Sequence, residues 1–395
     1  MGNKLQVIVV GGGASGLMAA VIAAQNGAAV TVLEQNENPG RKICVTGNGR
    51  CNLTNKDMRP EIFRGEHPEI VESVLDQFTL ENTIDFFEEI GVAFTDRKGW
   101  LYPRSNQAKC IPELLVLKCR SLKVKIKTRE KVETVSFENG RWKVKTSGWT
   151  YEGDRVILAN GSKASQVPGS DGSGYEIAKS LGHRIISPLP ALTGLKCKGN
   201  NFSAWAGVRT DAEVTLKIDG QVLLKENGEV QLTDYGVSGI PVFQLSRFAI
   251  RALDDGRKVS LSVNFLPEYT QESLRKYLEK RRELCPYQSD AELLLGLLPD
   301  KLIKMFCKQK SDLCQTITEY TLEVKVSTGF EQAQICSGGI DTTQVNTKTL
   351  ESLLHRGLYF AGELLDVDGP CGGYNLQWAW SSGAVAGLYS AKENL

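Results

Sequence analysis

Near the amino terminus, Gly11-Gly12-Gly13-Ala14-Ser15-Gly16 follows the pattern G-x-G-x-x-G, and an acid, Glu34, follows at the spacing that suits a ribose. The chemistry open to this set is the binding of a dinucleotide pyrophosphate. Gly11 permits a tight turn, Gly13 lets the backbone approach a phosphate, and Gly16 lets a helix press against a strand. The helix that follows this turn offers free amides and about half a positive charge to the phosphates, and Ala14 and Ser15 in the turn are candidate contacts as well. Glu34 is placed to accept hydrogen bonds from ribose hydroxyls, with Gln35 next to it. The alternative, a glycine turn that holds no ligand, is disfavoured by the elements on either side.

Those elements are legible. Residues 5–10 are a continuous apolar, β-branched run, residues 17–26 are rich in helix formers, and residues 29–33 form a second buried strand. Further on, residues 132–137 and 142–146 flank Asn139-Gly140, which suits a hairpin, and residues 155–159 read as another buried parallel strand. Beyond Pro188 and Pro190 the pattern predicts a β meander over residues 214–218, 222–225 and 230–233, with turns at Asp219-Gly220 and Asn227-Gly228. Helical patterns follow over residues 271–320, then a strand over 322–327. Residues 357–362 are again a buried strand running into glycine. The fold class expected is α/β: a Rossmann-like dinucleotide-binding domain with an inserted α+β domain of meander plus helices. The boundaries expected are residues 1–190 with 336–395 for the first domain and 191–335 for the second, the latter with a β part at 191–268 and a helical part at 269–320.

Composition sets outer limits. A chain of 395 residues exceeds one ordinary core, and a net charge of +1 gives no field that would draw in nucleic acid or an anionic membrane. The ten cysteines form no C-x-x-C pair and only His67, His183 and His355 are present, which argues against structural zinc and for reduced thiols in a cytoplasmic protein. The apolar run at residues 7–24 is interrupted by three glycines, so no membrane span is expected, and Gln6 stands where a myristoylation motif needs Ser or Thr.

An N-terminal fingerprint, a large insertion and a returning strand that ends in Gly362-Glu363 resemble the glutathione-reductase-like flavoproteins. That resemblance implies FAD, with the late acid meeting the ribityl chain. No second fingerprint follows, so NAD(P)H would act as a transient reductant without its own Rossmann domain. Residues 40–55 (GRKICVTGNGRCNLTN) and 362–383 (GELLDVDGPCGGYNLQWAWSSG) closely resemble the signatures of the BaiN-like or HI0933-like bacterial NAD(P)/FAD-dependent oxidoreductases. Residues 172–183 and 235–247 extend the likeness across nearly the whole chain. It departs at Ala159-Asn160-Gly161-Ser162, where many relatives have Ala-Thr-Gly-Gly, and at Asp234, where many have His.

The resemblance implies that the loop after Glu34 runs along FAD. Its candidate contacts are Arg41, Lys42, Asn48, Gly49, Arg50 and Asn52, with Arg41 the better phosphate or ribityl partner because its fork donates two hydrogen bonds. A solvated basic loop is the alternative. Gly161 joins the set from the strand end. Gly372, Gly373, Tyr374, Asn375 and Leu376 begin a helix that could aim its amides at the flavin's pyrimidine edge, where charge develops on reduction. Trp378 and Trp380 read as core, and Cys44 and Cys51 as inert buried thiols.

The activity implied is passage of hydride from FAD to a carbon-carbon double bond. Relatives suggest uridine of 23S ribosomal RNA, unsaturated bile-acid intermediates or amine oxidation, here ordered with ribosomal uridine first. A non-catalytic FAD-bearing scaffold is the alternative of another class. Such a reduction also needs a proton donor: Cys371, whose thiol is protonated at neutral pH, or else Tyr374; the alternative for Cys371, where many relatives have Thr, is a small inert residue packed under the flavin. The basic stretch from Lys118 to Lys131 and the cations Arg275, Lys276, Lys280, Arg281 and Arg282 read as solvated faces in preference to an RNA patch.

Overall fold

The structure is a computed structural model that describes residues 4–165, 167, 169–199, 202–309 and 311–393. The chain divides into two compact units, Met1–Pro188 with Gln334–Leu395, and Leu189–Ala333.

The first unit is built on a five-stranded parallel sheet. In chain order its main elements are β1 (Gln6–Val10), α1 (Ala14–Gln25), β2 (Ala29–Glu34), β3 (Lys125–Thr128), β4 (Arg155–Leu158), β5 (Leu358–Phe360) and α2 (Tyr374–Ser390). The strand order is β5-β4-β1-β2-β3, with Val9 opposite Val32 on one side and Ile157 on the other. The chain first winds outward from β1 through β2 to β3, then returns to lay β4 on the opposite side of β1. The carboxyl ends of β1 and β4 therefore flank a topological switch point, where open α/β sheets bind their ligands. β3 is an edge strand, and its exposed Lys125 and Lys127 guard that edge as the alternating pattern suggests. Beyond it lies a hairpin of Val132–Glu138 and Arg141–Thr146, whose central Asn139 and Gly140 have φ of 53° and 80°, the two positive values that a type I′ turn requires.

α1 and α2 are buried almost all round, and they touch through small residues. A Cβ on Gly383 would lie 2.4 Å from the Ser15 carbonyl oxygen, and one on Gly387 would lie 2.5 Å from that of Ala19. The helices thus approach backbone to backbone, one near the amino end of the chain and the other near its carboxyl end. Buried polar groups of α2 are satisfied: the Gln377 amide donates to Thr83 Oγ1 at 2.7 Å and to Ser381 Oγ at 2.9 Å, and Gln377 Oε1 accepts from Thr54 Oγ1 at 2.6 Å.

The second unit differs from the expected meander. Six strands close into a barrel in the order Leu195–Cys197, Gly236–Ser238, Gln221–Leu232, Arg209–Ile218, Val259–Asn264, Tyr320–Ser327. Asp219-Gly220 is a turn, with positive φ at both residues, but Asn227-Gly228 is not. The strand Gln221–Leu232 runs through it, with Asn227 opposite Glu213 and Gly228 opposite Ala212. Gly228 serves close packing instead, since a Cβ there would lie 3.3 Å from Pro241. The β part expected at 191–268 also contains a helix, Ile240–Asp254, started by Gly239 at φ 104° and by a proline in its first turn. The helices beyond it are Gln271–Leu284, Asp300–Phe306 and Leu313–Thr318, resting on a core that includes Leu274, Leu302 and Ile317.

The helix crossing yields a direct expectation. Gly387→Val should destabilise the protein by about 2 kcal/mol or more, because the new side chain meets backbone that cannot swing aside. Urea unfolding of both proteins checks this, and coincident midpoints would show that the two helices can part at no cost.

Candidate functional site

At the switch point the glycines divide their work. A Cβ on Gly16 would lie 1.9 Å from the Gly11 carbonyl oxygen, and one on Gly11 would lie 2.5 Å from that of Ala159. These two glycines clamp turn, helix and β4 together. Gly13 is different: its φ of −80° suits any residue, and a Cβ there would meet nothing within 4 Å. It keeps a space open, and Gly161, at the end of β4, also faces open space. α1 begins at Ala14 with Gly13 as its N-cap, no side-chain cap and no acid in its first turn. Its first amides are thus left for a ligand. Nearby, the buried Asn160 Oδ1 has no hydrogen-bond partner. An uncapped helix start beside an open cradle is what a pyrophosphate needs, so the residues present fit the dinucleotide.

Glu34 is buried at the end of β2. Its Oε2 accepts from the Gly12 amide at 2.8 Å, and its Oε1 accepts from the Asn36 amide and side chain, each at 2.8 Å. The carboxylate is thereby held in one orientation by the fingerprint turn itself, leaving acceptor capacity on Oε2 for a ribose hydroxyl. Gln35 turns to the Gly169 carbonyl at 2.7 Å.

The following loop separates into two groups. Arg41, Asn48 and Gly49 are exposed, with Arg41 3.4 Å from Asn36 Oδ1 and Asn48 in the left-handed region at φ 55°. Arg50 lies over the Tyr102 ring at 5.9 Å. Lys42 and Asn52 point inward. Lys42 Nζ is 2.5 Å from Glu363 Oε2, and Asn52 is buried with its Oδ1 unpartnered. Burial pushes the Cys51 thiol up to about 12, and burial together with Glu113 raises that of Cys44, so both are protonated and unreactive.

The carboxyl-terminal segment closes the first unit. Gly362 takes φ 74° and packs on Ser15, whose Oγ would lie 2.4 Å from a Cβ there. Glu363, expected at the ribityl chain, holds Lys42 and also accepts from Ser162 Oγ at 2.9 Å. Asn375 clamps the turn before its helix, accepting from the Gly369 amide and donating to its carbonyl, both at 2.8 Å. Gly372 and Gly373 have φ of 125° and 93°, and a Cβ on Gly373 would lie 2.7 Å from the Thr54 backbone. Leu376 packs on the core. Cys371 is half-buried, whereas Tyr374 is buried edge-on to Phe63 at 6.2 Å. Burial, then the Asp57 charge, raises the Tyr374 phenol above its ordinary range, against a hydrogen bond to Asn55. Trp378 and Trp380 are core residues, donating to the carbonyls of Gly362 at 3.1 Å and Leu53 at 3.0 Å.

Four participants escaped the sequence reading. Ser162, Tyr175 and Cys336 join Lys42 and Glu363 in one polar cluster, with burial raising both the tyrosine and the cysteine. The departure at Ser162 was the available signal. Asn55 fixes the double glycine by donating to the Gly372 carbonyl at 3.0 Å. Among the described residues, no cluster of His, Cys, Asp or Glu is arranged for a metal, and no helix is long and apolar enough to cross a membrane.

This sheet, fingerprint and crevice define a Rossmann-type dinucleotide-binding domain, and kinship with the proteins that follow makes the chain an FAD-dependent oxidoreductase. The profile of the HI0933-like protein Rossmann domain matches residues 5–389, and the chain belongs to that family. It is 44% identical to the 3-dehydro-bile acid Δ(4,6)-reductase of Clostridium scindens, over 97% of this chain and 98% of that one. It is 29% identical to the ribosomal RNA dihydrouridine synthase of Escherichia coli, over 96% of each. The fold is shared with the 3-ketosteroid Δ4-(5α)-dehydrogenase of Rhodococcus jostii, at a TM-score of 0.54 and 15% identity, over 98% of this chain and 97% of that one.

The open cradle predicts the outcome of filling it. Gly13→Glu should fold but lose flavin absorbance, because its side chain occupies the phosphate space and its charge repels the phosphates. Visible spectra normalised to protein test this, and a fully yellow variant would place the pyrophosphate elsewhere.

Proposed function

We propose that this enzyme reduces a conjugated carbon-carbon double bond in a small 3-oxo steroid or bile-acid-like enone, with NAD(P)H restoring the reduced flavin. The observation that carries this reading is the 44% identity to a bile-acid reductase along the full length of both chains. Ribosomal uridine, placed first on sequence alone, now stands second, because the dihydrouridine synthases share only 29% and 28% identity. The basic stretch does not restore it. Arg129 and Lys131 are already paired with Glu37 and Asp171, and Lys125 and Lys127 guard a sheet edge.

FAD, when bound, supplies the hydride. The chain's own part begins with the α1 amides and Glu34, which take the pyrophosphate and the ribose, while Arg41 and Asn48 lie along the exposed rim of the same loop. Lys42 and Glu363 tie that loop to the Gly362 turn. A second contribution is the proton for the neighbouring carbon. Cys371 is the donor we favour, because the Tyr374 phenol is buried, packed edge-on against Phe63 and raised in pKa, which makes it the weaker acid. The start of α2 beside Cys371 would steady the thiolate left behind. We place the enzyme in the cytoplasm, from its thiol-rich composition.

Two outcomes follow. After anaerobic reduction, a 3-oxo-4,6-diene steroid should reoxidise the flavin rapidly in stopped flow, and an unmodified ribosomal RNA fragment should not; the reverse order would move the substrate to RNA. Cys371→Ser should keep FAD and its reduction by NAD(P)H while slowing reoxidation by enone about 10²- to 10⁴-fold. Wild-type reoxidation in that variant would make Cys371 a packing residue.

A further inference from the structure

Asn52 is 8% exposed, and its Oδ1 is buried without a hydrogen-bond partner. Its neighbours are all engaged. Leu53 O accepts from Trp380 Nε1 at 3.0 Å, Thr54 Oγ1 donates to Gln377 Oε1 at 2.6 Å, and Asn55 both donates to Gly372 O at 3.0 Å and accepts from the Asp57 amide at 2.9 Å. In a segment so fully bonded, one buried amide oxygen keeps its acceptor capacity unspent, and a buried polar group calls for a partner.

Its position narrows the choice of ligand. On one side is the left-handed Gly47-Asn48 turn, where a Cβ on Gly47 would lie 3.1 Å from the Asn52 amide nitrogen. On the other is the start of α2, because Thr54, two residues on, meets Gly373 backbone to backbone. α2 is 17 residues long, and its N-cap, Gly373, supplies no side-chain cap. An acceptor thus lies two residues along the chain from the point where Thr54 meets the uncapped start of α2. A phosphate has no use for the acceptor. The pyrimidine edge of a flavin does, since it presents one donor, N3–H, between two carbonyl acceptors.

We propose that Asn52 recognises this edge, its Oδ1 accepting the flavin N3–H while the first-turn amides of α2 serve a flanking carbonyl. The proposal rests on the FAD reading of the site and adds the residue that fixes the orientation of the ring. Asn52 is a binding and positioning residue, with no part in proton or hydride transfer.

Asn52→Leu replaces the amide by an apolar group of similar shape, and the probes are FAD and N3-methyl-FAD added to apoprotein. Wild type should bind FAD about 10- to 100-fold more tightly than N3-methyl-FAD, and Asn52→Leu should bind the two equally and about 10- to 100-fold more weakly than wild type binds FAD. Without flavin, Asn52→Leu should melt at or above the wild-type temperature, because an unpaired buried acceptor has gone. Equal discrimination by both proteins would overturn the proposal, as would a lower melting temperature for the apo variant, which would mean that the oxygen serves the fold. Wild-type apoprotein that binds neither flavin would instead overturn the cofactor reading itself.

Discussion

The start of α1 is the constraint on which the first unit depends. Helix amides without partners are tolerated only where water or a ligand takes them, and here they face a crevice held open by Gly13. The crevice exists because Gly16 and Gly11 allow helix, turn and β4 to close to backbone contact. A single methyl group at either position would push the helix from the sheet and turn its dipole away from the phosphates. Glu34 belongs to the same device. By accepting from the Gly12 amide it braces the turn and presents its remaining acceptor capacity to a ribose.

The ends of the chain meet at this point. α2 lies against α1 through Gly383 and Gly387, and Gly362 packs on Ser15 in the first turn of α1. The carboxyl-terminal segment therefore shapes the cofactor crevice as directly as the amino-terminal fingerprint does. Lys42 and Glu363, 321 residues apart, tie the loop after Glu34 to the turn before α2. Groups from both ends that we propose to bind the flavin are in this way held by one set of contacts, the kind of preorganisation that hydride transfer to a bound substrate would require.

What was legible in the sequence was local. The fingerprint, the β1-α1-β2 unit, the Asn139-Gly140 hairpin and the α2 segment all follow from periodicity and turn chemistry within a few residues. What was hidden is set by distant partners. Gly228 looks like a turn residue beside Asn227, yet it sits within a strand because Ala212 pairs with it and Pro241 packs on it. Closure of the barrel depends on the pairing of Leu195–Cys197 with Tyr320–Ser327, which no local pattern reports. At the site, the sequence points Glu363 toward a ribityl chain but does not report its hold on Lys42 and Ser162, and the orphaned oxygen of Asn52 emerges only once every neighbour has its partner.

The central claim is that the crevice at the start of α1 holds a flavin dinucleotide. It is tested most directly by denaturing the purified protein and identifying what it releases by chromatography and mass spectrometry, before and after incubation with excess FAD. FAD is expected, approaching one equivalent per chain after incubation. Release of FMN, or a protein that remains colourless when offered FAD, would contradict it.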